Sequence, residues 1–283
     1  MLSFAMERIS SDFEKIISGS LKSFSPYFKS DNAVIFNADC LEILSAIPEN
    51  SIDMIFADPP YMLSNDGFSC QSGKRVNVNK GEWDKSNGFD NDTGFHNEWI
   101  LSCRRVLKPE GTIWVSGTYH SIYQCGYLLQ KNNFHILNDI AWFKPNASPN
   151  LSCRFFTASH ETILWARKDK NAKHIFNYEE IKNGNFPEDK LKKENTQMRS
   201  VWSITTPRTE EKEHGRHPAQ KPLNLLKRII LASTKEHNII LDPFCGSGTT
   251  GSACKCFNNR SFIGIDADIH YCDLAKKRLS QKN

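Results

Sequence analysis

Ile239-Ile240-Leu241-Asp242-Pro243-Phe244-Cys245-Gly246-Ser247-Gly248-Thr249-Thr250 decides how this chain folds. A short apolar run reads as a buried strand. Two glycines two apart then permit a tight turn and close approach of a ligand to the backbone. A helix opens after Thr249, and its first N–H groups point back at the turn. The next strand, Phe262-Ile263-Gly264-Ile265, ends in Asp266, 20 residues beyond Gly246. An acid at that place can accept hydrogen bonds from two ribose hydroxyls. Strand, glycine turn, helix and strand-end acid together predict a nucleotide-type pocket in an α/β sheet. A glycine turn serving only helix–strand packing is the plainer alternative.

A second strand carries a second motif. Ile52-Asp53-Met54-Ile55-Phe56-Ala57 runs into Asp58-Pro59-Pro60-Tyr61. An acid, two prolines and an aromatic ring at a strand's carboxyl end lie where open α/β sheets place their sites. The prolines fix φ and remove two backbone donors, so the turn is stiff and its carbonyls are free to accept. A carboxylate, a carbonyl and a flat ring suit an exocyclic amine on a planar base.

The rest of the chain fits the same frame. Ala33-Val34-Ile35-Phe36 is a predicted strand ending at Asn37-Ala38-Asp39-Cys40, with a short helix from Leu41. Helices are predicted over 95–107 and 119–131, and strands over 112–115, 135–143 and 161–166. Pro222 suits the first turn of a helix whose apolar face is Leu223, Leu226, Ile229 and Ile230. Alternation of this kind predicts a mostly parallel sheet covered on both faces. Residues 62–94 read as one very long loop and 1–30 as a polar N-terminal extension with a weak helical pattern. Residues 168–215 are polar and Lys-rich and read as an insertion outside the sheet. The domain therefore divides into a part at 31–167, the insertion at 168–215 and a second part at 216–283.

Composition narrows the class. The chain has 283 residues, 39% hydrophobic and 24% charged, with net charge +4. A mild basic balance permits nucleic acid as a partner. No apolar run approaches the roughly 20 residues that span a bilayer, and no secretory signal is read, so a cytoplasmic location is expected. The nine cysteines are expected to be reduced and mostly buried. Cys254-Lys255-Cys256 has no partner pair or His cluster nearby, and no metal site is predicted.

Taken together, the motifs resemble the S-adenosylmethionine-dependent DNA amino-methyltransferases. Their order, Asp58-Pro59-Pro60-Tyr61 first and the glycine loop last, resembles the circularly permuted beta group. His217-Pro218-Ala219-Gln220-Lys221-Pro222 is similar to the segment that closes over the cofactor's methionine end. Asn37-Ala38-Asp39-Cys40 resembles the strand-end motif that contacts the cofactor's adenine. The match spans roughly residues 31–280 and excludes residues 1–30. Phe56-Ala57-Asp58-Pro59-Pro60-Tyr61, Asn150-Leu151-Ser152-Cys153-Arg154 and Glu161-Thr162-Ile163-Leu164-Trp165-Ala166-Arg167 are similar to the short adenine methyltransferases of restriction–modification systems, including the GATC-specific DpnA type. Cys245 departs from the small aliphatic or Met that many relatives carry there.

The resemblance implies a Rossmann-like methyltransferase fold with a seven-stranded sheet, circularly permuted, and S-adenosylmethionine as cofactor. It implies methyl transfer to adenine N6, with Asp58, Pro59, Pro60 and Tyr61 as catalytic residues. Asp39, Cys40, Asp58, His217, Gln220, Lys221, Pro222, Asp242, Phe244, Cys245, Gly246, Ser247, Gly248, Thr249, Thr250 and Asp266 are the implied cofactor residues. The partner is DNA, with GATC the expected site and a HindIII-like or other short adenine site as rivals, a cognate restriction endonuclease acting on the same site, and a homodimer common in the group. By position, 168–215 resembles the target-recognition region, with Lys192, Lys193, Arg199, Arg208 and Arg216 as expected contacts; Asn65, Lys80 and Trp83 of the 62–94 loop are candidates to close over DNA. Cytosine N4 is an alternative target, although Asp in place of Ser at position 58 favours adenine. A methyltransferase of RNA or of a protein side-chain amide is a second alternative; those relatives usually carry Asn-Pro-Pro-Tyr after the cofactor motif, and the order here argues against it. Cytosine C5 chemistry requires a Pro-Cys nucleophile that the sequence lacks.

Overall fold

In the computed structural model the described residues are 11–62, 68–71, 74–77, 84–184, 186, 188–189, 193 and 196–281. Their centre is a nine-stranded sheet of order β1-β2-β11-β10-β3-β6-β8-β7-β9. The strands are β1 (Phe28–Lys29), β2 (Ala33–Asn37), β3 (Ile52–Ala57), β6 (Leu107–Gly117), β7 (His135–Phe143), β8 (His160–Arg167), β9 (Val201–Ser203), β10 (Ile239–Asp242) and β11 (Ser261–Asp266). β4 (Phe68–Gln71) and β5 (Lys74–Asn77) form a separate antiparallel hairpin. The expected seven strands form a continuous block, β2 to β7, with one short strand added at each edge.

Central strands are apolar on both faces because both faces are covered. Along β3, Ile55 and Ala57 turn to one layer, Met54 and Phe56 to the other. The first layer packs α2 (Cys40–Ala46), α3 (Phe89–Val106) and α4 (Ile122–Lys131) through Ile43, Leu44, Trp99, Ile100, Leu128 and Leu129. The second packs α6 (Leu223–Ser233), α7 (Thr249–Cys254) and α8 (Ile269–Ser280). In α6, Leu225, Leu226, Ile229 and Ile230 are fully buried, the spacing of one helical stripe.

Two topological facts position the site. β10 and β3 are parallel neighbours, with Ile240 opposite Met54 and Leu241 opposite Ile55. From β3 the chain winds outward through β6, and from β10 through β11 on the other side. The strand order therefore reverses between them, which opens a crevice at their carboxyl ends. Both motifs empty into it. β8 is antiparallel to β6 and β7, so its first residues, not its last, lie at that same end.

Several expectations need correction. Helix α3 begins at Phe89, inside the stretch read as loop 62–94, which also holds the hairpin. Strand β6 runs from Leu107 to Gly117, beginning five residues before the strand predicted over 112–115. The N-terminal segment is not merely polar. A short helix, α1 (Ser11–Lys15), and a π turn at Ile16–Ser20 bury Phe13, Ile16, Ile17 and Leu21 against the first layer. The 168–215 segment does join the sheet: β9 pairs with β7, Trp142 opposite Trp202. It also forms α5 (Tyr178–Lys182). Arg228 of α6 anchors it, paired with Asp189 at 2.7 Å and sandwiched between Phe186 and Trp202 at 4.1 and 4.2 Å.

Candidate active site

The crevice holds a cavity of about 680 Å³, within the range of small-molecule sites. One end is lined by Asp39, Cys40, Asp266 and Ile269, the middle by Phe244 and Gly246, the other end by Asp58 to Tyr61. Residues of both motifs thus share one space, although 188 positions separate Asp58 from Gly246.

The glycine loop is shaped by positive φ at Gly246 (49°) and Gly248 (73°). A Cβ on Gly246 would meet the His217 ring at 3.1 Å, and one on Gly248 would meet Ala275 Cβ at 2.7 Å. The loop therefore lies directly under His217 and against α8, which only glycine allows. Asp266 fixes it from below: Gly246 N–H donates to Oδ2 at 2.7 Å and Asp268 N–H to Oδ1 at 2.9 Å. Burial pushes the Asp266 carboxyl up to about 6. Asp242 is deeper. It accepts from Phe244 N–H at 3.1 Å and from the Thr250 hydroxyl, and burial pushes it up to about 7.

Asp39 caps α2, accepting from Leu41 N–H at 2.7 Å. Cys40 follows it, its thiol pushed up to about 12 by burial, which makes it a wall and not a nucleophile.

At the other end Asp58 is enclosed. Lys221 pairs with Oδ2, and the Tyr61 hydroxyl lies 2.5 Å from Oδ1. Burial raises the Asp58 carboxyl above the usual range despite the Lys221 ammonium. Tyr61 is only 3% exposed. Its N–H donates to Asp84 at 2.7 Å, so a buried carboxylate holds the turn. Its hydroxyl also lies 3.1 Å from Glu161 Oε2 and 3.3 Å from Ser116 Oγ. Glu161 pairs with Lys144 at 3.1 Å. Burial opposes its ionisation, but Lys221 and Lys144 outweigh that and hold it down at about 2. Behind Tyr61 a second cavity of about 230 Å³ is lined by Trp142, Lys144, Glu161 and Lys221.

Not every expected residue reaches the large cavity. Cys245, Ser247, Thr249 and Thr250 line a narrow adjoining cleft, with Gln220 and Lys221. Gln220 donates to the Glu211 carbonyl at 2.8 Å, and Pro222 caps α6. Arg278 of α8 donates to Ser247 and Thr249, at 2.9 Å to the Ser247 carbonyl and 2.8 Å to the Thr249 hydroxyl, so these two brace the loop. Lys193, Arg199, Arg208 and Arg216 are exposed, and Asn65, Lys80, Trp83 and Lys192 lie outside the described residues. Sequence reasoning missed Glu161, Asp84 and Arg278. No local signal marks Glu161, the second residue of a strand whose reversed direction only the sheet reveals.

The lining of this cavity suits S-adenosylmethionine. It joins the two motifs, an acid ends the neighbouring strand, and Gly246 brings bare backbone to its wall. Solved methyltransferases share the frame. The crystal structure of the M1.HpyAVI–SAM complex superposes with a TM-score of 0.64 at 30% identity, covering 88% of this chain and 100% of that one. The PvuII cytosine-N4-specific DNA methyltransferase superposes with a TM-score of 0.69 at 18% identity, covering 92% and 90%, a likeness of fold. The class is therefore S-adenosylmethionine-dependent methyltransferase.

Within that class, residues 52–277 match the family model described as DNA methylase, and the chain belongs to that N6/N4 family. Its curated relatives are Type II methyltransferases. M2.LlaDCHI of Lactococcus lactis subsp. cremoris is 50% identical, covering 93% of this chain and 95% of that one. M2.DpnII of Streptococcus pneumoniae is 48% identical, covering 94% and 96%. Among the described residues no helix is long and apolar enough to cross a membrane.

Proposed function

We propose that this DNA methyltransferase modifies N6 of an adenine flipped out of a short duplex site, GATC. The observation that carries the reading is that Asp58 and Pro59 line the same cavity as Gly246 and Asp266. The Asp58 carboxylate and the Pro59 carbonyl are the two acceptors proposed for the two hydrogens of one exocyclic amine, and neither proline of the turn has an N–H to compete for them. When bound, S-adenosylmethionine supplies an electrophilic methyl group. Asp266 and the backbone at Gly246 are placed to hold its ribose and amino-acid ends, and Phe244 and Ile269 to pack on it.

The adenine amine is a weak nucleophile because its lone pair is delocalised into the ring. As the nitrogen attacks, it rehybridises and gains positive charge. Asp58 and the Pro59 carbonyl favour that charge more than the neutral ground state, which is stabilisation aimed at the transition state. Holding the amine in line adds a proximity contribution. Flipping costs a few kcal/mol. Tyr61, between the two cavities, is the ring on which the base stacks, recovering about 1–3 kcal/mol.

Asp at position 58 supports adenine over cytosine, and similarity to the GATC-specific DpnA type supports the site. Arg199, Arg208 and Arg216 face solvent on and beside the insertion, as phosphate or base contacts require. The enzyme works alongside a cognate endonuclease acting on the same site, and as a homodimer. Nucleoside analysis of methylated duplexes with and without GATC tests the central claim. N6-methyladenine confined to GATC duplexes is the expected result; N4-methylcytosine, or equal modification of both duplexes, overturns it. Light scattering of the purified protein reads the dimer.

A further inference from the structure

Behind Asp58 lies a buried cluster assembled from four places in the chain. Asp58 follows β3, Lys144 follows β7, Glu161 is the second residue of β8 and Lys221 precedes α6. Two carboxylates face two ammonium groups. Both Asp58 oxygens are already engaged, Oδ2 by Lys221 and Oδ1 by the Tyr61 hydroxyl. An amine that donates to Asp58 competes with these two donors for a crowded, buried carboxylate.

Lys221 has nowhere to go in solvent, because its side chain is 5% exposed. A buried ammonium stripped of its partner is strongly destabilising. A second carboxylate is within reach: Lys221 Nζ stands 3.6 Å from Glu161 Oε2. The Tyr61 hydroxyl stands 3.1 Å from the same oxygen. Lys144 grips the other oxygen of Glu161 at 3.1 Å and keeps it in place. Both groups that occupy Asp58 therefore share one alternative acceptor.

We propose that Glu161 is a positioning residue for methyl transfer, receiving Lys221 and the Tyr61 proton when the target amine takes Asp58. One buried ion pair is exchanged for another, and none is broken. This rests on the reading of Asp58 as the amine acceptor. It gives the antiparallel strand β8 a purpose in the reaction, since a reversed strand presents its first residues, Glu161 among them, at that end.

The test is Glu161→Gln, with methyl incorporation into duplex DNA measured at saturating cofactor across pH. The charged and titratable groups facing Asp58 are Lys221, Tyr61, Glu161 and, from β10, Asp242. In the variant Lys221 stays on Asp58, so kcat falls about 10- to 100-fold, the worth of one hydrogen bond to a charged group. Losing a neighbouring negative charge eases Asp58 ionisation, so the acid limb of the kcat profile moves to lower pH. Cofactor affinity by calorimetry stays within about twofold, since Glu161 does not line the cofactor cavity. Removing Lys221 as well, Glu161→Gln with Lys221→Met, recovers part of kcat at alkaline pH. Turnover within twofold of the parent, or a fall with an unmoved acid limb, overturns the proposal. If Glu161→Gln does not fold, Glu161→Asp keeps the charge and withdraws the acceptor by one methylene. A loss of several-fold without an acid-limb shift is then expected, and parental turnover overturns the idea. Parental enzyme and Asp58→Asn run in the same series. If the parent transfers no methyl to an amine, or Asp58→Asn is fully active, the underlying reading fails; an active parent beside a fully active Glu161→Gln sinks only the role of Glu161.

Discussion

The N–H of Gly246 donates to the Asp266 carboxylate at 2.7 Å, so the acid assigned to the cofactor's ribose also sets the glycine loop. That dual use predicts a pH dependence. Asp266 sits at about 6 because burial disfavours its charge, and a ribose is best held by the ionised form. At pH 5 roughly one molecule in ten carries the carboxylate, so cofactor affinity should weaken about tenfold between pH 8 and pH 5. Asp266→Asn should bind more weakly at every pH and lose that slope. Calorimetric titration across the range reads both. A flat profile in the parent protein would remove Asp266 from the ribose.

Asp58→Asn should separate chemistry from cofactor binding. The amide still accepts through its oxygen but carries no charge to oppose the one that grows on the amine. Turnover should fall at least about 100-fold, the scale for losing one preorganised electrostatic partner. Cofactor affinity should change little, because Gly246 and Asp266 are untouched. The sign with pH also follows. Burial raises Asp58, so parental turnover should decline as pH drops through that raised value, and the variant should lack that limb. Equal decline in both proteins would move the titration to another group.

How much of this was legible depends on how loudly each residue speaks in one dimension. β3, β10 and β11 are largely apolar runs that reach an acid at or just past their carboxyl ends, so strand and site announce themselves together. α3 hides its start: Gly88 caps it, and Asp90, Asn91 and Asp92 fill the first turn, while exposed Phe89 breaks the stripe. Asp92 is buried and accepts from Ser86 at 2.5 Å and Asn87 N–H at 3.0 Å, a local turn that reads as loop. The N-terminal core residues do have helical spacing, 13, 16, 17 and 21, but serines between them dilute it. β9 is three residues with one buried, Trp202; its pairing with β7 is tertiary and leaves no period. Glu161 was quoted as sequence and not as site because strand direction is a property of the sheet.

Gly248→Ala should damage the loop more than Gly246→Ala. Both positions have positive φ, which costs a side chain about 1–3 kcal/mol. At 248 the new Cβ also meets Ala275 Cβ at 2.7 Å, and Ala275 belongs to a packed helix that cannot yield locally. At 246 the neighbour is the His217 ring at 3.1 Å, which can tilt. The expected order in melting temperature is parent, Gly246→Ala, Gly248→Ala. Cofactor affinity should drop in both, since His217 and the loop share the cavity wall. A reversed order would mean that α8 gives way more easily than its packing indicates.

The Arg228–Asp189 pair should be the most sensitive ion pair in the fold. Its side chains are 1% and 5% exposed, and the contact is 2.7 Å. Phe186 and Trp202 flank the guanidinium, so an arginine left without its carboxylate has no route to water. Asp189→Ala should then destabilise by about 3–5 kcal/mol, lowering the melting temperature by roughly 10 °C in a domain of this size. Replacing both partners, Arg228→Met with Asp189→Leu, should recover much of the loss, because the desolvation of two charges disappears with them. Asp189 lies in the 168–215 segment and Arg228 in α6, so the single variant also loosens the insertion from the sheet. Below its melting point it should bind cofactor normally and methylate DNA less well. Thermal melts with calorimetric and methylation assays separate these effects. A single variant as stable as the parent would show that Trp202 and β9 hold the insertion without the charge.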